Sequence, residues 1–334
     1  MKPVPDQIKA IRDLVNGYKM SQVLITAEEL GIFARVAVGP IAANEIGVAA
    51  GGVPAERIEP LLNVLAGAAV LTRDADGRYA LSEDFATLDP RHKASQNGYL
   101  QYAARVAEKW TRLADAVRRA NVADANFDEI TGADRETAAA FAAAMDANAK
   151  PQAAFIAQQY DFSGRRILDV GAGAGTYSIE VATRFPDSRL ALLETPGMVD
   201  VLKAFVDRAN LSSRLQVLSG DYRESLPEPP YDDIFMFAVV HQEQRQTVLS
   251  MLRHAREALA RGGRLFLTSF FLDESRTEPP FSAMFAVEML VMVGSGRVYT
   301  FREIAELLAE AGFQDVARRD EIPGPATLFV ATSI

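Results

Sequence analysis

The middle of the chain reads Ile167-Leu168-Asp169-Val170-Gly171-Ala172-Gly173-Ala174-Gly175-Thr176. The apolar run predicts a buried strand, three alternate glycines turn the backbone, and a helix is expected to begin at about Thr176. Because glycine lacks a Cβ atom, such a turn can adopt positive φ and let a ligand approach the main chain. The N–H groups that open the helix then face that ligand. We therefore predict a nucleotide-like cofactor site, with a purely structural turn as the alternative.

Four further apolar runs follow this turn, and polar residues stand where they end. These residues are Glu194, the pair Gly220-Asp221, His241 and Ser269. Open α/β sheets bind ligands at the carboxyl ends of their parallel strands, so we expect these side chains to lie along one edge of a sheet. An acid at the end of the second strand can accept hydrogen bonds from both hydroxyls of a ribose. The pattern predicts an α/β fold with a mostly parallel sheet.

Composition restricts the class of protein. The chain has 334 residues, a net charge of −9 and no cysteine. The acidic balance argues against wide contact with nucleic acid, and the lack of cysteine excludes disulfides and thiolate metal sites. The N-terminus shows no apolar signal region, and the most apolar late stretch, residues 281–293, is interrupted by Glu288 and too short to span a bilayer. We expect a cytoplasmic protein that contacts neither membrane nor nucleic acid.

The N-terminal third has the pattern of a winged helix. Apolar spacing predicts helices over 8–35, 42–50 and 54–65, and an Asp-Gly turn predicts a β-hairpin over 70–81. A winged helix can bind DNA, but the helix that would read the groove carries Glu56 and Glu59 against a single Arg57. An anionic groove requires the opposite balance, so a DNA-binding regulator is the weaker alternative.

The glycine turn and the Gly220-Asp221 pair resemble the class I S-adenosylmethionine-dependent methyltransferases. Nicotinamide dehydrogenases, the alternative, use their glycines to hold a pyrophosphate. With the winged helix in front, the whole chain resembles the small-molecule O-methyltransferases, in which that module builds a homodimer. The resemblance implies a Rossmann-like methyltransferase core preceded by a mostly helical winged-helix dimerisation domain. It divides the chain into a dimerisation domain (1–95), a helical connector that contributes to the substrate pocket (96–160) and a cofactor-binding catalytic domain (161–334).

The same resemblance implies S-adenosyl-L-methionine as the cofactor and assigns its contacts. The glycine turn would hold the methionine and ribose end, Glu194 the ribose hydroxyls, and Asp221 with Tyr222 the adenine. The full predicted set is Asp169, Gly171, Ala172, Gly173, Glu194, Thr195, Gly220, Asp221, Tyr222 and Ala238. A Lys that is often found near the end of the fourth strand is replaced by Phe237. No metal site is predicted, because the carboxylates are scattered and His241 has no histidine partner at ligand spacing.

His241 is the predicted catalytic residue. Histidine is the usual base near neutral pH, and the chain has three. His92 is expected in a solvated loop and His254 on the solvated face of a helix over 248–259. His241 follows the fourth strand, where the family places the His of a His-Asp-Trp motif.

The motif in this chain departs from the family pattern. It reads His241-Gln242-Glu243-Gln244, and Ser269 and Val298 stand where relatives often place Glu. Carboxylates at these positions orient the base and stabilise its protonated form. His241 is therefore expected to be a weaker base unless Glu243 substitutes. O-methylation is favoured by the family, C- or N-methylation stays open, and a non-methylating relative that keeps the cofactor structurally is the alternative.

The acceptor is expected to be a small, largely apolar, aromatic molecule, because Met and aromatic side chains adapt well to flat ligands. At helical spacing such residues also form ordinary core, so we expect roughly half of the candidates to touch the acceptor. The candidates are Trp110, Phe141, Met145, Phe281, Phe285, Met289, Met292 and Tyr299.

Overall fold

The computed structural model describes residues 3–118, 135–228, 230–294 and 296–333. It divides into two compact units, Met1–Arg105 and Val106–Ile334. Among the described residues no helix is both long and apolar enough to cross a bilayer.

The first unit is mostly helical. The run predicted as one helix over 8–35 begins earlier and forms three helices, because the chain breaks at Gly17 and because Gly31 adopts a φ of 63°. The predicted hairpin is confirmed and follows two further helices. The elements are α1 (Val4–Asn16), α2 (Tyr18–Glu29), α3 (Ile32–Val36), α4 (Ala43–Ala49), α5 (Ala55–Gly67), β1 (Leu71–Arg73), β2 (Tyr79–Leu81) and a 3₁₀ helix (Glu83–Leu88). Helix α6 (Asn97–Trp110) begins in this unit and ends in the second.

The core of the first unit leaves α1 outside it. Ile32, Phe33, Ile58 and Leu62 are fully buried in one cluster. None of the α1 side chains is buried, and Leu14 is 81% exposed. An amphipathic helix normally turns its apolar face to a core, so α1 presents a surface that suits a partner.

The second unit is built on a seven-stranded sheet in the order β5-β4-β3-β6-β7-β9-β8. Strands β3 to β7 run parallel, and β9 and β8 are antiparallel, which confirms the mostly parallel Rossmann-like prediction. The strands are β3 (Arg166–Val170), β4 (Arg189–Glu194), β5 (Leu215–Ser219), β6 (Tyr231–Phe237), β7 (Leu259–Ser269), β8 (Gln314–Arg319) and β9 (Thr327–Thr332). The helices are α7 (Leu113–Arg118), α8 (Arg135–Gln159), α9 (Thr176–Arg184), α10 (Val199–Arg208), α11 (Arg245–Ala258), α12 (Pro280–Met292) and α13 (Phe301–Glu310).

The strand order places a crevice beside β3. The chain proceeds from β3 outward to β4 and β5, then returns to pair β6 with the other side of β3. The carboxyl ends of strands at such a reversal form the usual ligand crevice of an open α/β sheet. Helix α9 begins at Thr176, as predicted.

Two strands differ from the prediction. The fourth apolar run was expected to extend to Val240, but β6 ends at Phe237 because Ala238 adopts a φ of 56° and a short 3₁₀ turn follows at Val240–Gln242. Strand β8 was not predicted, because it lies at the sheet edge and buries none of its side chains.

Candidate active site

The glycine turn joins β3 to α9 with three positive φ angles. These are 66° at Gly171, 57° at Gly173 and 73° at Gly175. A Cβ atom on Gly171 or Gly175 would lie within 3 Å of a neighbouring side chain, whereas one on Gly173 would meet nothing within 4 Å. Gly171 and Gly175 therefore serve close packing, and Gly173 borders open space where a ligand can approach the main chain.

Glu194 fixes the shape of this turn from the end of β4. Its Oε2 accepts a hydrogen bond from the Gly173 N–H at 2.7 Å, and its Oε1 accepts from the Thr195 N–H at 2.7 Å. The Gly220 N–H donates to the Glu194 carbonyl at 3.0 Å. The turn is also tied to β4 through Ala172, whose N–H donates to the Leu193 carbonyl at 3.2 Å. The fold thus brings together residues that the sequence predicts for one cofactor.

Asp169 adds a second buried acid. It lies at the end of β3, is 2% exposed, and accepts a hydrogen bond from the Ser178 hydroxyl at 2.6 Å. Burial, with a smaller contribution from the negative charge of Glu194, raises the pKa of Asp169 to about 7 against the opposing effect of the Ser178 hydrogen bond. Two acids so placed favour a ligand that carries positive charge.

Replacement of Asp169 by Asn is expected to stabilise the ligand-free protein, and to do so more at high pH. Because the folded state holds this proton up to about pH 7, the wild-type protein loses stability as pH rises from 3.8 through 7. The gain in unfolding free energy should be about 2 to 3 kcal/mol larger at pH 8 than at pH 5. Urea denaturation at both pH values measures it, with the exposed Asp200→Asn as the matched control. An equal gain at both pH values would contradict the assignment.

The predicted adenine end contains an ion pair that the sequence analysis missed. Both oxygens of Asp221 accept hydrogen bonds from the Arg223 guanidinium, at 2.8 Å each. This pairing lowers the pKa of Asp221. Tyr222 is buried, and its ring lies next to the glycine turn, 3.5 Å from where a Cβ on Gly171 would be. In the sequence, the signal for this ion pair was a basic residue, Arg223, two positions after Asp221. The same spacing is also common in surface turns.

The end of β6 carries the aromatic Phe237 at the position where the resemblance implied a frequent Lys. The Phe237 ring centroid lies 4.0 Å from that of Tyr177, and the Tyr177 hydroxyl donates to Gln152 at 2.7 Å. The next residue, Ala238, adopts its positive φ while its N–H donates to the Thr268 carbonyl at 2.9 Å. Phe237 is buried in a core cluster, so this position carries no charge.

His241 lies in the 3₁₀ turn after β6 and is 6% exposed. Its Nδ1 lies 2.9 Å from the hydroxyl oxygen of Ser269, at the end of β7. The Phe285 ring meets the imidazole edge-on at 4.8 Å, and Phe270 stacks against it at 6.1 Å. Burial lowers the pKa of His241 to about 3, so the ring is neutral at physiological pH. The tautomer that donates from Nδ1 to Ser269 leaves Nε2 as a proton acceptor.

Ser269, and not Glu243, is the partner of His241 Nδ1. The Glu243 carboxylate lies 3.8 Å from the Arg223 guanidinium, and the backbone carbonyl of Glu243 accepts a hydrogen bond from the Tyr299 hydroxyl at 2.7 Å.

The other two histidines lie elsewhere. The expectation that His254 lies on a solvated face is wrong for one ring nitrogen, since its Nδ1 is buried without a hydrogen-bond partner. His92 accepts from the Ala94 N–H at 3.1 Å.

The structure distributes the predicted acceptor-lining residues over several environments. Phe285 contacts His241, and Trp110 donates from its indole nitrogen to Glu288 at 3.0 Å. Tyr299 belongs to the main core of the second unit, and Met289 and Met292 are buried on α12. Phe141 packs against a small cluster that includes Ala174 and Met198. Met145 is half-buried on α8, and Phe281 is 48% exposed. Their contact with an acceptor stays a prediction.

Across the described ranges, no group of three or more His, Asp or Glu side chains is arranged to hold a metal ion.

The comparisons with known proteins identify the class. The O-methyltransferase domain family matches residues 110–314, and the O-methyltransferase dimerisation domain matches residues 12–84. The chain belongs to the O-methyltransferase family. It is an enzyme that uses S-adenosylmethionine as its cofactor.

Relatives match along nearly the whole chain. The 3-hydroxy-5-methyl-1-naphthoate 3-O-methyltransferase of Streptomyces sahachiroi is 27% identical over 321 residues, which cover 92% of this chain and 89% of the relative. Acetylserotonin O-methyltransferase of Mus musculus is 29% identical over 334 residues, covering 93% of this chain and 85% of the relative. The solved structure of PigF with SAH superposes with a TM-score of 0.89 at 25% identity and covers 99% of both chains. PigF is a methyl transferase of a Serratia strain.

Proposed function

We propose that this enzyme transfers a methyl group to a hydroxyl on a small, largely apolar, aromatic acceptor, with His241 as the base or orienting group. The observation that carries the proposal is the neutral His241 imidazole, fixed at Nδ1 by Ser269 and bordered by Phe270 and Phe285. It stands after β6, the strand that pairs with the glycine-turn strand. The names of two relatives, acting on a naphthoate and on acetylserotonin, support a ring-bearing acceptor.

The residues around the glycine turn fit the cofactor. Glu194 would hold the ribose, Gly173 and Asp169 the methionine end, and Asp221 with Tyr222 the adenine. Gly173 borders the open space that the ligand requires, and the buried acids Asp169 and Glu194 suit a cationic group. When bound, S-adenosylmethionine supplies a methyl group that its sulfonium makes electrophilic.

His241 is suited to accept the proton of an acidic hydroxyl. Because burial keeps the imidazole neutral, Nε2 can accept the proton of an acceptor hydroxyl. Because Ser269 carries no charge, the imidazolium that forms lacks the stabilisation that a carboxylate would give. A base of low pKa works best with a hydroxyl that is itself acidic, which favours a phenol over an aliphatic alcohol. Alignment of the acceptor by Phe270 and Phe285 supplies the rest of the rate enhancement.

The first unit is assigned to dimerisation. The carrying observation is α1, whose apolar face includes Ile11 at 61% and Leu14 at 81% exposed. Burying such side chains against a second copy stabilises the assembly by about 1.5 to 3 kcal/mol each. We assign residues 1–95 to homodimerisation, 96–160 to a connector that contributes to the acceptor pocket, and 161–334 to cofactor binding and catalysis.

Native mass spectrometry and a transfer assay test the proposal together. The freshly purified protein is expected to have the mass of a homodimer that retains S-adenosylmethionine or S-adenosylhomocysteine. With methyl-labelled S-adenosylmethionine and a panel of mono- and bicyclic phenols, the label should appear in a methyl ether in step with S-adenosylhomocysteine. Label on carbon or nitrogen would contradict O-methylation. Retained nucleoside with no label in any phenol, amine or ring carbon would favour the non-methylating alternative.

A further inference from the structure

Glu288 lies on α12 and is the one acid in the apolar run 281–293. Its Oε2 accepts a hydrogen bond from the Trp110 indole nitrogen, near the end of α6, at 3.0 Å. Burial raises the pKa of this carboxyl, and the Trp110 hydrogen bond partly opposes the effect. A carboxylate without full solvation costs free energy unless donors compensate for the lost water. A half-buried carboxylate on this apolar helix is therefore expected to have a role other than keeping the protein soluble.

Glu288 shares one face of α12 with two aromatic rings. Phe281, Phe285 and Glu288 are spaced i, i+4 and i+7, which places them along one stripe of the helix. The Phe281 and Phe285 rings are nearly parallel at 6.3 Å, and Phe270 packs edge-on against both. Phe285 is also the ring that meets His241. The stripe thus leads from the catalytic imidazole to the carboxylate.

The spacing along this stripe sets a length. Glu288 lies three residues beyond Phe285, a rise of about 4.5 Å along the helix. The Phe285 ring lies 4.8 Å from the His241 ring. An acceptor that reaches both His241 and Glu288 therefore has to extend past the Phe285 ring and along this rise, which favours a molecule with more than one aromatic ring.

Among the described residues, most of the acceptor positions of the Glu288 carboxylate have no protein donor. A carboxylate offers about four acceptor positions, and the indole of Trp110 supplies one donor. Within the described residues, Trp110 is the only hydrogen-bond donor to this carboxylate. A ligand N–H or O–H that reached it in these half-buried surroundings would form a charge-assisted hydrogen bond, which is about twice as strong as a neutral one.

We propose that Glu288 and Trp110 form a recognition pair for the acceptor, in which Glu288 accepts a hydrogen bond from an N–H or O–H on the end of the molecule opposite the methylated hydroxyl. Trp110 orients the carboxylate through its indole nitrogen and supplies an aromatic face. This inference rests on the proposed function and specifies its substrate class, an aromatic acceptor of more than one ring with a distal donor. A structural tether between α6 and α12 is the competing role for the same hydrogen bond.

The chain provides its own reporter, because Trp110 is its only tryptophan. The probes are a dihydroxynaphthalene with one hydroxyl on each ring and its monomethyl ether, which has a single hydroxyl and cannot donate a hydrogen bond at both ends. With the protein saturated with S-adenosylhomocysteine, we expect the diol to bind at least tenfold more tightly than the ether by calorimetry. Binding of the diol should change the emission of Trp110, and this change should be smaller in Glu288→Met.

Variants of Glu288 separate recognition from tethering. Glu288→Met removes the acceptor group at similar length and should reduce the preference for the diol to within about twofold. Glu288→Gln keeps an oxygen for Trp110 without the charge, and its preference should be intermediate. The exposed Glu257→Gln on α11 is the control and should keep the wild-type preference. Binding of S-adenosylhomocysteine is measured in every variant as a test of folding. If Glu288→Met no longer binds S-adenosylhomocysteine, the diol preference of Glu288→Gln is compared with that of the wild-type protein instead.

Two results would overturn the inference. The first is an unchanged diol preference in Glu288→Met, or in Glu288→Gln where that variant carries the comparison, with only a lower melting temperature, as a tether predicts. The second is a wild-type protein that binds neither probe or binds both equally. Failure of the proposed function looks different: the diol preference and its loss in the variants would be present, but no labelled methyl group would reach oxygen in any phenol.

Discussion

Replacement of His241 by Ala is expected to lower kcat by about two to four orders of magnitude. The imidazole is the one histidine ring among the described residues that meets the aromatic side chains of the crevice, and Ser269 fixes its orientation. Its removal takes away the proton acceptor and the surface that aligns the hydroxyl. Binding of S-adenosylhomocysteine should change by less than about threefold, because no predicted cofactor contact involves the ring.

The control for this variant is His254→Ala, a second partly buried histidine, on α11. It should leave kcat within about twofold of wild type. Assays of initial rate at saturating S-adenosylmethionine, with the phenol identified by the labelling experiment, measure both variants. Equal rates for His241→Ala and the wild-type enzyme would show that alignment alone sustains the reaction and that His241 is not the base.

The pH dependence of the wild-type enzyme belongs to the same prediction. Because burial lowers the pKa of His241 to about 3, the ring stays neutral well below pH 6.5 and kcat/KM should show no acid limb from this group between pH 5 and 7. The low pKa also reduces stability at acid pH. Between pH 6.5 and pH 3 the unfolded chain binds a proton at His241 and the folded protein does not, so the unfolding free energy decreases as pH falls through this range. An acid limb near pH 6.5 that disappears in His241→Ala would contradict the neutral, desolvated ring.

Replacement of Asp233 by Ala is expected to lower the unfolding free energy by about 3 to 5 kcal/mol. Asp233 lies at the amino-terminal end of β6, is fully buried, and accepts two hydrogen bonds from each of two arginines, Arg165 and Arg264, at 2.7 to 2.9 Å. Without Asp233, the guanidinium groups of Arg165 and Arg264 lose the carboxylate that both of them bind. The loss is measured by urea denaturation of the ligand-free protein.

A neighbouring acid provides the comparison for Asp233. Asp232 accepts a hydrogen bond from the Arg166 N–H at 2.8 Å but is only half-buried, so Asp232→Ala should cost about 1 kcal/mol. A loss of less than about 1.5 kcal/mol for Asp233→Ala would show that water replaces the carboxylate between the arginines. Because this cluster lies at the end of the sheet away from the glycine turn, S-adenosylhomocysteine binding should persist in whatever fraction remains folded.

The strand-and-turn frame of the catalytic unit was predictable because its signals are local. An apolar run, alternate glycines and a helix start at Thr176 follow one another in sequence, and Glu194 and His241 stand where strands end. The sequence placed Ser269 at a position from which relatives orient the base, but its hydrogen bond to His241 was not predicted, because the two residues follow different strands and the sheet register brings them together. In the sequence, Glu288 could be recognised only as a charge that interrupts an apolar run. Its hydrogen-bond partner, the indole of Trp110, is distant in sequence. Strand β8 carries no apolar alternation because it is an edge.

The exposed face of α1 has a consequence for how this enzyme behaves on dilution. Leu14 and Ile11 remain in contact with water in a single chain, so a second copy that covers them stabilises the folded state by mass action. The melting temperature should therefore rise with protein concentration, as it does for proteins whose folding and assembly are linked. Assays at very low enzyme concentration would then sample a chain with uncovered apolar surface, and specific activity would decrease with dilution and recover on reconcentration.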